Sequence, residues 1–116
     1  MGNDRVFSMP FAKVFPLLIA KAKRKGRTRE EVCQVTSWLT GYTNQQLNAL
    51  LNSDLSYGAF FEAAPCLNEH RTKITGTVCG VKLETIDDPL MLELRRLDKL
   101  VDELAKGKTM EKIMRK

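Results

Sequence analysis

Asp88-Pro89-Leu90-Met91-Leu92-Glu93-Leu94-Arg95-Arg96-Leu97-Asp98-Lys99-Leu100-Val101-Asp102-Glu103-Leu104-Ala105-Lys106-Gly107 is the stretch on which the fold turns. Asp88 is a good helix N-cap, and Pro89 suits the first helical position, where a missing N–H costs nothing. Leu90, Leu94, Leu97, Val101 and Leu104 step by four, three, four and three, which makes an apolar seam two heptads long. Asp102 and Lys106 pair at i,i+4 in the favourable order, worth ~0.3 kcal/mol. Gly107 ends the helix. In a chain of 116 residues this seam is expected to pack against the protein's own helices, because the core needs it. The competing use is a homodimer surface.

Helical signals continue upstream. Phe11, Val14, Phe15, Leu18 and Ala22 recur at spacings of three and four, with Pro16 inside the pattern. Proline lacks the N–H that reaches back one turn, so either the helix kinks or a fresh helix starts at Pro16. Cations fill its last turn, and Gly26 closes it. Thr28 with Glu31 has capping-box spacing, and Val32, Val35 and Leu39 form the buried stripe of the helix it opens, which stops at Gly41. Thr43 and Gln46 repeat the capping logic ahead of Leu47, Leu50 and Leu51. A polar turn at 52–54 precedes Tyr57, Phe60, Phe61 and Ala64, and Pro65 closes that short helix. Residues 65–73 read as a loop, and Thr109 caps a last short helix carrying Met110, Ile113 and Met114.

One segment reads two ways. In Ile74–Ile86, Val78 and Val81 follow Ile74 at helical spacing, and Gly76 and Gly80 lie four apart, where a neighbouring helix can approach. Yet Cys79 to Glu84 alternates as a strand does, and Thr and Val favour strand.

Several blocks together resemble a bacterial family. They are Gly26-Arg27-Thr28 with Glu30-Glu31-Val32, Trp38-Leu39-Thr40-Gly41-Tyr42, Phe60-Phe61 with Ala64-Pro65, Ile74-Thr75-Gly76, Val78-Cys79-Gly80-Val81, Asp88 to Met91, the long run Leu97 to Gly107, and Met110 to Ile113. The chain resembles the domain of unknown function 2200 family from about Arg5 to the C-terminus. The resemblance implies a small, mostly helical bacterial protein with an all-helical orthogonal bundle, and it tips 74–86 toward helix. It carries no activity, cofactor or catalytic residue.

Composition sets the outer limits. With 43% apolar and 28% charged residues the chain is globular and not disordered, and it is long enough for one core. The longest apolar run, Val14 to Ala20, has seven residues, far short of the roughly 18 of a membrane span. Cys33, Cys66 and Cys79 form no C-x-x-C pair, and their odd number points to reduced thiols in a reducing compartment. The N-terminus lacks a small-residue cleavage site after its apolar stretch, and Val6 stands where myristoylation wants Ser or Thr. A cytoplasmic protein is expected.

Net charge is +5 but strongly polarised: residues 1–30 carry eight Lys/Arg against two acids, residues 31–70 none against four, and residues 71–116 eleven against eight. The sharpest binding candidate is the basic run Lys21, Lys23, Arg24, Lys25, Arg27 and Arg29. Clustered cations release counterions from a phosphate backbone. The bland account is a helix C-terminus and an exposed link, and no aromatics interleave to stack bases. Cys79 and His70 are the thinkable nucleophile–base pair, against which Cys79 between Val78 and Gly80 reads as a small buried apolar residue. Glu84, Asp87 and Asp88 suggest a hard-metal site, but Asp88 is already employed as a cap. Trp38 and Tyr42, four apart, either wall a pocket or anchor the core.

The sequence therefore predicts one all-α domain over residues 1–116, an orthogonal bundle of five or six helices, with α+β and a small hairpin at 74–86 as the alternative. Its expected function is a non-enzymatic binding or interaction module, engaging a protein partner or a second copy; the alternative is nucleic-acid association through the 21–29 patch. An enzyme, a cofactor and a resident metal are not expected, since one His, no Gly-rich phosphate loop and no metal-ligand spacing are present.

Overall fold

The structure, a computed structural model, describes residues 2–78 and 80–115. Its helices are α1 (Gly2–Ser8), α2 (Phe11–Lys23), α3 (Arg29–Thr40), α4 (Asn44–Leu50), α5 (Tyr57–Glu62), α6 (Pro89–Ala105) and α7 (Met110–Ile113). Two strands, β1 (Thr77–Val78) and β2 (Val81–Lys82), pair antiparallel, with Thr77 opposite Lys82 and Val78 opposite Val81. Single 3-10 turns, Glu69–Lys73 and Leu83–Thr85, stand before and after the hairpin.

The protein is mostly helical, as the sequence predicts. Seven α-helices among the described residues replace the expected five or six, and the addition is α1, whose apolar side chains are only Val6 and Phe7. Helix α2 runs unbroken through Pro16. Pro16 is exposed, so its ring lies on the solvent-facing side of the helix. The capping boxes form as the spacing requires. Thr28 Oγ1 accepts from Glu31 N–H at 3.2 Å while Thr28 N–H donates to the Glu31 carboxylate at 2.9 Å. Thr43 and Gln46 make the same exchange. The Asp88 carboxylate accepts from the amides of Leu90 and Met91, starting α6 where the sequence places its start.

Over 74–86 the preference for helix is corrected: the segment is the hairpin, the form held as the alternative. Gly76 and Gly80 take φ of +101° and +78°, values a right-handed helix excludes. Gly76 is not a helix-crossing point; a Cβ there would meet only the end of the Lys99 side chain, at 3.5 Å.

Helix α6 is the spine. It packs on α2, α3, α5, α7 and β1, and buries Leu94, Leu97, Leu100, Val101 and Leu104 in one contiguous cluster. Phe11 and Phe15 of α2, Val32, Val35 and Leu39 of α3, Tyr57 and Phe60 of α5 and Ile113 of α7 complete it. Leu94 to Leu104 of the apolar seam thus lie in the protein's own interior and offer no dimer surface; Leu90 is half-buried at its edge. Phe60 stacks on Phe11 at 4.3 Å and on Tyr42 at 4.7 Å. The Tyr42 hydroxyl donates to the Phe60 carbonyl at 2.7 Å, and Tyr42 and the half-buried Trp38 both pack on the core.

Candidate functional site

Helices α2 and α6 end in the same way, and their ends meet. Gly26 and Gly107 take φ of +83° and +87°. Arg27 N–H returns to the Ala22 carbonyl and Gly26 N–H to that of Lys23; Lys108 N–H returns to the Glu103 carbonyl and Gly107 N–H to that of Leu104. This paired closure satisfies carbonyls that a helix end leaves free. The residue after each glycine then joins the other: the Arg27 guanidinium donates to the Lys108 carbonyl at 2.9 Å. Beside it the Lys21 ammonium sits 3.6 Å from the Asp102 carboxylate. The basic run of the N-terminal third and the lysines of the C-terminal end thus form one basic end of the molecule.

Of the six cations singled out in the sequence, Lys23, Arg24 and Lys25 are exposed and make no ion pair among the described residues. Lys21 and Arg27 are partly committed, Arg27 also holding Glu31 at 2.7 Å. Arg29 departs from the group: it turns to α4 and donates to the Asn48 side chain at 2.7 Å. Sequence reasoning missed Lys99, Lys106, Lys108 and Lys112, which line a cleft of about 350 Å3 between the end of α6 and α7. A signal was present. Lys25-Gly26-Arg27 and Lys106-Gly107-Lys108 are the same cation–glycine–cation helix ending, used twice.

Two carboxylates organise these charges. Asp102 is shared by Lys106 at 3.0 Å and Lys21. Glu103, with a side chain only 5% exposed, is gripped by Arg115 at 2.7 Å and Lys108 at 3.2 Å. Burial alone raises both acids; the cations outweigh it and hold both below the usual carboxylate range, so each is ionised at neutral pH. Some of this positive charge complements the carbonyl ends of α2 and α6. The excess remains open to a negatively charged ligand.

The other candidates resolve differently. Cys79 lies outside the described residues. His70 sits on the Glu69–Lys73 turn, 3.7 Å from the exposed Glu69 carboxylate, and shares an open depression with Cys66. Cys33 is buried, and that burial pushes its thiol up, away from the thiolate a nucleophile needs. Asp88 is occupied as the α6 cap, and Glu84 accepts from the Gly76 amide at 3.3 Å. Among the described residues no three His, Cys, Asp or Glu side chains group as metal ligands, and no helix is long and apolar enough to cross a membrane.

The bacterial family described as "Uncharacterized protein conserved in bacteria (DUF2200)" matches residues 5–115. The chain belongs to the DUF2200 family. Its DUF2200 fold is similar to the crystal structure of the uncharacterized protein SP1917, with 55% sequence identity and a TM-score of 0.92 over 95% of this chain and 90% of that one. No curated protein matches. The DUF2200 description names no activity, and neither does that of SP1917.

Proposed function

We propose that the protein is a non-enzymatic binding module whose working surface is the basic end, and that its ligand carries repeated negative charge, as the phosphate backbone of a nucleic acid does. One observation carries this reading: the Arg27–Lys108 hydrogen bond, which makes one surface of two cationic segments 81 residues apart. A protein partner is disfavoured here by the lack of an apolar centre. Among the described residues the exposed large apolar side chains are Met9 and Leu17, neither of them in 23–27 or 106–112. Interfaces between proteins concentrate their energy in such centres. Without aromatics to stack bases, binding runs through phosphates and is insensitive to sequence. The free thiols of Cys33 and Cys66 support a reducing, cytoplasmic setting.

The test is fluorescence anisotropy with a labelled single-stranded oligonucleotide across a salt series. Affinity should fall linearly in log–log form. Lys23→Gln, Arg24→Gln and Lys25→Gln combined should reduce that slope by about two and leave the circular dichroism unchanged. Absence of binding, or binding indifferent to salt or to these changes, would reduce the patch to solvated surface.

A further inference from the structure

The cleft at the end of α6 differs from the rest of the basic end, because four lysines line one open concavity there. It is about 350 Å3, near the lower limit of small-molecule clefts. Lys99, Lys106, Lys108 and Lys112 line it, with Glu103 as its one acid. Asp102 borders it through its pair with Lys106.

Four cations share these two carboxylates. Lys21 and Lys106 divide Asp102 between them, and Lys108 and Arg115 divide Glu103. Lys99 has a neutral partner for its ammonium, the Thr77 carbonyl at 3.1 Å, and acts on Asp102 only through space. Lys112 is exposed and has no side-chain partner among the described residues. The concavity itself holds four lysines against Glu103, with Asp102 at its border, and so keeps a positive excess. Glu103 does not cancel it: Arg115 donates to both its oxygens at 2.7 Å, and Lys108 donates at 3.2 Å, so its charge is already spoken for.

A phosphodiester in a backbone brings one negative charge to such a site. A phosphate monoester brings about −1.5 to −2 at neutral pH, with three acceptor oxygens for ammonium donors. At a strand end it therefore offers the lysines more charge and more acceptor oxygens than any internal phosphate of the same strand. We propose that this cleft is a seat for a phosphate monoester, either the terminal phosphate of a nucleic-acid strand or the phosphate of a free nucleotide. The proposal rests on the reading of the basic end as an anion-binding surface and adds to it a distinct preference for a chemical end group.

Two oligonucleotides of one sequence separate the ideas, one with a 5′-phosphate and one with a 5′-hydroxyl. The phosphorylated strand should bind about fivefold tighter, the size expected of a few partly exposed charge contacts. Lys106→Gln with Lys112→Gln should abolish the difference, so that both strands bind alike. Lys106→Arg with Lys112→Arg, which keeps the charge, should retain it. Both lysines are exposed, and far-ultraviolet circular dichroism confirms the fold of each variant. Adenosine 5′-monophosphate, with adenosine as control, distinguishes the sources: if it erases the preference the seat also takes free monoesters, and if it does not the seat requires a strand. Equal affinity for the two strands, or a preference that survives the glutamine pair, overturns the seat and leaves the basic end standing. No binding of either strand overturns both.

Discussion

Gly41 and Gly107 both hold left-handed backbone, at φ of +84° and +87°, but for different surroundings. A Cβ on Gly41 would come within 2.7 Å of the Cys66 amide nitrogen, because the chain after α5 folds back to satisfy the Leu39 and Thr40 carbonyls at the end of α3. A Cβ on Gly107 would meet nothing within 4 Å. Gly107→Ala should therefore cost only the backbone term, about 1 kcal/mol. Gly41→Ala should add overpacking and cost about 2–4 kcal/mol; urea denaturation of the two variants checks the order. Glu103 makes the corresponding electrostatic case. Burial raises its carboxyl, but Arg115 and Lys108 outweigh that and hold it below its ordinary 4.5. A depressed folded value gives stability that is present above about pH 4.5 and is lost as pH falls through the folded value. Glu103→Gln should thus destabilise by about 3 kcal/mol at pH 7, and by clearly less at pH 3; urea midpoints at both pH values measure the difference.

Among the elements, α6 carries the most. Leu97 is fully buried where α6 faces its neighbours, whereas Leu17 of α2 is 63% exposed. Leu97→Ala should cost about 2–5 kcal/mol through lost transfer energy and a cavity, and Leu17→Ala less than about 0.5 kcal/mol, as read from chemical denaturation. Elements that end in their own local chemistry were legible in the sequence. The Thr28–Glu31 and Thr43–Gln46 boxes and the Asp88–Pro89 start form as their spacing requires, because each bond is made within one turn. The hairpin was not decidable in that way. Its Ile74, Val78 and Val81 keep helical spacing while the run from Cys79 to Glu84 alternates as a strand does, and what accompanies strand is the positive φ of Gly76 and Gly80 together with burial of Val78 against α6. Helix α1 escaped notice because two apolar residues cannot show a period; its position is fixed by close approach to α5, where a Cβ on Gly58 would lie 2.9 Å from that of Phe7.

At the scale of the molecule, the buried residues of α2, α3, α5, α6 and α7 belong to one cluster, and half-buried Trp38 packs on it. Unfolding should be one cooperative event: urea transitions followed by Trp38 fluorescence and by far-ultraviolet circular dichroism should coincide. Separate midpoints would divide the chain into two units. What the residues determined unaided was the helical class, the caps, the α6 spine and the existence of a basic run, since propensity, periodicity and charge are properties of neighbours in the chain. What only the tertiary structure decided was which cations share a surface. It removed Arg29 to α4, joined Arg27 to Lys108, and built a lysine-lined cleft from residues that sequence order keeps apart. The physical reason is that packing of α2 against α6 sets those distances, and contacts between helix ends far apart in the chain leave no periodic trace along it.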